Sequence, residues 1–392
     1  MNLNNNPEKG DLLILITVIS FFYLMLYPIV DYYYELDEVS AQLSSGINLL
    51  SYFIYIFGII AALMIVNSLI MLHGAKYDIT EKNNSNIIKL PNKKKIGTFI
   101  FYEILSLILS IYIFSSQSLD YATLFNRENR SSGIFLTQEW VIYVLFMQAI
   151  TFYGIYYYNQ LSKAERALLL ILIFLILFVE FVLLGARRYS TAIILFSLYV
   201  RGYISYIFRS KIGLLIFFLS LIAGLLFGAV REYIYHQLIL DHVSADDIIR
   251  LSLLSNEFNE IGSGVIKSIL IGNDMNSIKM GSTLLDGVLF LIPRVFYPDK
   301  PITLSSTLGF PISIYAEMFV NFNLISIFIF LFIFLYVGYL SKKHSNKFRT
   351  CVVAAYSFDF IRAETGTIIY TIVVIGVFYY IIKFTDRKLT IK

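Results

Sequence analysis

The sequence predicts an all-α integral membrane protein of about ten transmembrane helices, with a long external loop carrying short amphipathic helices. Three observations lead there. Of the 392 residues, 58% are hydrophobic and only 15% are charged, with a mean hydropathy of +0.72. Apolar runs recur along the whole chain, and the lysines and arginines between them are unevenly shared. A soluble domain keeps much of its surface polar, so a chain this apolar finds its solvent in lipid.

A spanning segment needs about 20 apolar residues, and its backbone must be helical because lipid offers no replacement for water. Ten stretches fit: 12–30, 47–72, 97–115, 139–158, 166–184, 190–207, 212–230, 324–340, 351–361 and 367–383. The ninth is too short to cross alone, so it extends into polar residues packed against other helices. The first lacks a small-residue cleavage site and reads as a retained span. The chain is then one polytopic domain, 1–392, with a long external loop at 231–311.

Orientation follows from the basic loops. Loop 73–96 carries Lys76, Lys82, Lys89, Lys93, Lys94 and Lys95, and loop 341–350 carries Lys342, Lys343, Lys347 and Arg349. Arg387, Lys388 and Lys392 lie in the tail. All fall on one side if the spans alternate, which places both termini in the cytoplasm. Loop 31–46, with Asp31, Glu35, Asp37 and Glu38, is acidic and external.

Several chemistries find no residues to carry them. A single cysteine, Cys351, allows neither an internal disulfide nor a thiolate metal cluster. Four histidines without an HxxxH pair make a poor zinc site, and nothing else requires a metal. No P-loop, dinucleotide fingerprint or cytoplasmic domain is present in the sequence. No cofactor and no nucleic-acid partner are expected.

The two cations are distributed differently. With this topology the inside has four arginines against fifteen lysines. The outside has three lysines but eight arginines: Arg127, Arg130, Arg187, Arg188, Arg231, Arg250, Arg294 and Arg362. Lysine suffices to orient a span, whereas the arginine fork grips phosphate through two bonds. Arginines near outer span ends therefore suit a lipid-linked phosphate or diphosphate. The alternative is that they anchor helix ends or pair with external carboxylates.

Within the external loop, Ser244 with Asp246 and Asp247 marks a helix start, and 284–292 is apolar but too short to cross, so it lies on the membrane surface. Pro293, Pro298, Pro301 and Pro311 stiffen the end of the loop and hold Arg294 and Lys300 over the membrane. Glu317 and Asn321 are four apart and share a helix face just before the eighth apolar run. Glu317 can accept a proton from a hydroxyl there, or pair structurally with an arginine. Glu180 lies inside the fifth span, where a charge is costly and marks function or pairing. His236 and His242 are weaker candidates for a base. Glu103 and Arg201 match in depth and read as a structural pair, and the tyrosines at 32–34, 156–158 and 379–380 read as an interfacial belt.

GARR (185–188), IPRVFYPDKP (292–301) and AEMFVNF (316–322), with this span plan and late external loop, resemble the Wzy family of O-antigen and capsule polymerases. The last motif is similar to the family's Glu-x-x-x-Asn-Phe stretch before a late span. Asn323 stands where a glycine often follows. The resemblance implies a GT-C-like glycosyltransferase in the bacterial cytoplasmic membrane, active on its outer face. It implies undecaprenyl-diphosphate-linked oligosaccharides as substrates, membrane lipids as surroundings, and a flippase and chain-length regulator as partners. Arg187, Arg188, Arg294 and Arg362 would stabilise the departing diphosphate, with Arg231 or Lys300 assisting. Glu317 would take the acceptor's proton, with Glu180 or His236 in reserve, while Tyr315 and Asn321 would hold sugar hydroxyls. An O-antigen ligase or a lipid-linked oligosaccharide transporter are the competing readings. The absence of a sequence repeat and the one-sided charge favour the polymerase.

Overall fold

The structure, a computed structural model, describes residues 11–21, 46–81, 138–158, 163–178, 187–204, 257–273, 279–289, 312–342 and 347–388, with scattered residues between them. These residues are mostly helical and contain no strand. Three segments are long and apolar enough to cross a membrane: Leu49–Ile70, Ile314–Tyr339 and Thr365–Phe384. Shorter apolar helices at Leu12–Phe21, Ile142–Tyr156 and Thr191–Val200 fall where the sequence places spans. The expected spans 97–115 and 212–230, and the helix start at Ser244, lie largely or wholly outside the described residues.

The chain divides into two compact units, one built from residues 80–203 and 371–392 with the first six residues, the other from 7–79 and 204–370. In the first, α3 (Gln138–Tyr156) packs against α5 (Arg187–Val200), with α4 (Lys163–Phe178) between them in sequence. Phe152 and Phe196 meet there in a buried stack with centroids 4.1 Å apart. Gly154 leaves room for Leu169, since a β-carbon there would stand 3.2 Å from its methyl. Lipid offers helices no hydrophobic reward for associating, so close approach at small residues supplies the packing instead. Tyr158 carries two cations, with Arg201 at 4.2 Å and Arg166 at 5.4 Å from its ring centre. Glu103, expected beside Arg201, is outside the described residues.

The second unit contains α1 (Asp11–Phe21), α2 (Gly46–Glu81), α6 (Glu257–Asn273), α7 (Ser282–Leu289), α8 (Ile314–Phe322), α9 (Ser326–Lys342), α10 (Lys347–Ala355) and α11 (Asp359–Arg362). It also holds the first turn of α12 (Thr365–Lys388). α2 buries Tyr52, Tyr55, Ile59, Leu63 and Val66, at helical spacing, and exposes Leu50, Phe57, Met64 and Ile65. An outer face as apolar as the inner one is what a lipid-immersed helix shows, and a water-exposed helix does not. α9 does the same with Phe328, Phe332, Tyr336 and Tyr339.

At the centre lies α8. Every residue from Ile314 to Asn321 is buried, so no face of this helix looks outward. It packs against α6, α7, α9 and α11. Ser313 starts it, its hydroxyl accepting from the Ala316 amide at 3.1 Å. Hydropathy alone starts the eighth span at 324, yet the apolar helical segment begins ten residues earlier, at Ile314. The reason is that Glu317 and Asn321 lower local hydropathy while their partners come from distant segments.

Between α8 and α9 a single 3₁₀ turn, Asn323–Ile325, breaks the helix. Asn323 has φ of +50°, a left-handed value suited to glycine. Its side chain compensates: Nδ2 donates to the Gly272 carbonyl at 2.8 Å, and Oδ1 accepts from the Leu324 amide at 2.6 Å. Asparagine is among the non-glycine residues that adopt positive φ most readily, so its identity fits this conformation. Replacing Asn323 by valine is expected to destabilise the fold by about 1–3 kcal/mol, because a β-branched residue resists positive φ. Asn323→Gly should cost less than valine; thermal unfolding in detergent compares them.

Candidate functional site

Burying a carboxyl group and a carboxamide in one helix is unfavourable unless each finds partners. Glu317 and Asn321 are each 1% exposed. Their partners arrive from two remote segments. The first is the turn before α7, where Met280 and Gly281 both have positive φ, of 46° and 87°. This turn lays residues 279–281 along α8, the Lys279 amide donating to the Val320 carbonyl at 3.2 Å.

The hydrogen bonds run in one direction. The Gly281 amide donates to Asn321 Oδ1 at 2.8 Å. Asn321 Nδ2 donates to the Glu317 carbonyl at 2.8 Å and to Thr283 Oγ1 at 2.6 Å. These partners set the amide's orientation, because a backbone N–H must face its oxygen and a backbone carbonyl its nitrogen. Having accepted from Asn321, the Thr283 hydroxyl donates onward to Glu317 Oε1 at 3.0 Å.

The other oxygen, Glu317 Oε2, accepts from the Thr365 amide at 2.7 Å. Thr365 is the first residue of α12, and its amide is one of the donors that every helix start leaves without an internal partner. Glu317 therefore caps a 24-residue helix from a site 48 residues away in sequence. An acidic group there also meets the positive end of the helix dipole. Beside this bond the backbones of α7 and α12 touch: a β-carbon on Gly366 would stand 2.9 Å from the Gly287 Cα.

Arg362 ends α11, three residues before Thr365, and α11 packs against α8. The fold thus brings together AEMFVNF and the IRAETG turn. Asp359 and Glu364, on either side of Arg362, are buried. Tyr315 is fully buried, its hydroxyl paired with Ser20 at 2.8 Å and its carbonyl accepting from the Tyr55 hydroxyl at 2.6 Å. Tyr315, Glu317 and Asn321, the sequence candidates for sugar binding and proton transfer, all make hydrogen bonds within the protein.

The other candidates are placed less fully. Arg187 and Arg188 open α5, and their side chains, like that of Arg362, lie outside the described residues. Glu180, Arg231, His236, His242, Arg294 and Lys300 lie wholly outside them. Sequence reasoning missed Thr283, the residue that joins Asn321 to Glu317; one threonine in an apolar helix carries no signal of its own. No group of three or more potential metal-ligating residues occurs among the described residues.

Comparison with protein-family models, with curated proteins and with solved structures finds no match. The site's geometry therefore stands on its own. Asn321→Ala would strand the Gly281 amide and remove the donor that orients Thr283. A loss of about 1–3 kcal/mol is expected, read as a lower unfolding midpoint in detergent.

Proposed function

We propose that the chain is a membrane glycosyltransferase of the polymerase kind. It joins undecaprenyl-diphosphate-linked oligosaccharide repeat units at the outer face of the bacterial cytoplasmic membrane. The observation that supports this most is the meeting of two segments singled out by the sequence: AEMFVNF, with its family-like Glu-x-x-x-Asn-Phe spacing, and the turn that carries Arg362.

In this reading an acceptor hydroxyl attacks the anomeric carbon of the donor, and the bond from that carbon to the diphosphate oxygen breaks. The developing negative charge is met by Arg294 and Arg362, with Arg231 or Lys300 assisting. The hydroxyl proton passes to His236 rather than to Glu317, which is 1% exposed and engaged in internal hydrogen bonds. Since diphosphate leaves readily, charge stabilisation outweighs the base.

One observation favours a second reading. The apolar segment Ile314–Tyr339 is interrupted at 323–325, and residues 356–358 separate α10 from α11. Discontinuous helices are common where transporters bind their cargo.

Purified protein given a synthetic undecaprenyl-diphosphate repeat unit should produce a ladder of longer lipid-linked glycans. Arg294→Ala should slow it by about 10²–10³, as loss of one preorganised charge-stabilising group does. No ladder from folded wild type with its cognate unit would sink the polymerase. Transfer to a lipid A core would then indicate the ligase, and movement of intact substrate across vesicles the transporter.

Topology is tested separately. Because Cys351 is buried, cysteines can be added against a quiet background. Asp37→Cys should react with an impermeant maleimide in intact cells, and Asn84→Cys only after permeabilisation.

A further inference from the structure

We infer that Thr283 and Glu317 form a clamp that positions Arg362 for the substrate's diphosphate. Neither acts on the reacting atoms. The inference rests on the proposed reading of the chain as a diphosphate-handling enzyme, and it assigns that reading's conspicuous carboxylate a different task.

The geometry carries it. Arg362 is the last residue of α11, separated from α12 by the short connection 363–364, and an arginine's grip on phosphate depends on where its backbone is held. Three contacts hold this connection: the Thr365 amide bonds to Glu317 Oε2 at 2.7 Å, the Gly366 backbone abuts Gly287, and α11 packs on α8. Glu317 is in turn fixed by the Thr283 hydroxyl at 3.0 Å, and Thr283 by Asn321 at 2.6 Å. A general base must come within hydrogen-bond reach of a substrate proton. Glu317 is 1% exposed, and each of its oxygens accepts a bond from an internal donor.

A carboxamide can do this work. In Glu317→Gln the side-chain oxygen still accepts from the Thr365 amide, and its NH₂ can donate to Thr283 Oγ1 once that hydroxyl turns. Alanine provides neither bond. Thr283→Val keeps the shape and removes the hydroxyl.

The test measures binding of undecaprenyl diphosphate, the shared product, to full-length protein in detergent, with amide exchange at Thr365 followed in parallel. The clamp predicts that Glu317→Ala and Thr283→Val each weaken binding about tenfold, as loss of a hydrogen bond to a charged group does, while Glu317→Gln stays within about threefold. In an Arg362→Ala background the same two changes should have almost no further effect. Thr365 exchange should accelerate in Glu317→Ala and remain slow in Glu317→Gln.

Equal losses with and without Arg362 would make Glu317 and Thr283 ordinary structural residues and overturn the inference. So would unchanged binding in Glu317→Ala with turnover abolished in Glu317→Gln, the signature of a base. Wild type that protects Thr365 yet binds no undecaprenyl diphosphate would refute the functional reading itself, and the clamp's purpose with it.

Discussion

A carboxyl group inside a bundle of apolar helices must have both oxygens engaged, because nothing around it can replace water. Glu317 meets that demand by accepting from a threonine hydroxyl 34 residues before it and a backbone amide 48 residues after it. Each bond ties a separate segment to α8. The start of α12 is capped, the turn before α7 is drawn along α8, and Asn321 is committed to orienting the hydroxyl that completes the set. Removing the carboxylate would leave an orphaned helix-start amide and a stranded hydroxyl at once.

The apolar packing around α8 is organised differently. Tyr55 stands edge-on to Phe319 with centroids 4.7 Å apart, and Tyr315 lies against Phe330 at 4.9 Å. Gly272 lets Phe319 approach, since a β-carbon there would come within 2.7 Å of the ring. Such contacts make a close fit without much direction. The hydroxyls of Tyr55 and Ser20 add direction by bonding to Tyr315, tying α2 and α1 to the same helix. Polar side chains in this unit act as joints, and apolar ones fill the space between them.

This arrangement separates two roles that a sequence tends to merge. Charged and amide side chains at depth in a membrane helix are expensive, and they invite a catalytic explanation. Here the cost is offset internally, and the benefit is the placement of a neighbouring turn.

The helical, lipid-adapted class of this protein was legible in the sequence because it rests on local averages: apolar runs of spanning length and basic loops between them. So was the importance of Glu317 and Asn321, since their four-residue spacing inside an apolar stretch is a local anomaly. Their partners were not legible. Thr283 and the Thr365 amide are ordinary in their own surroundings and become partners only when α7 and α12 are folded against α8. The positive φ of Asn323 was equally hidden. Local hydropathy and spacing determined which segments are apolar enough to cross a membrane and which residues are unusual. Tertiary packing alone decided what those residues bond to, because hydrogen bonds between distant segments leave no periodic trace in the chain.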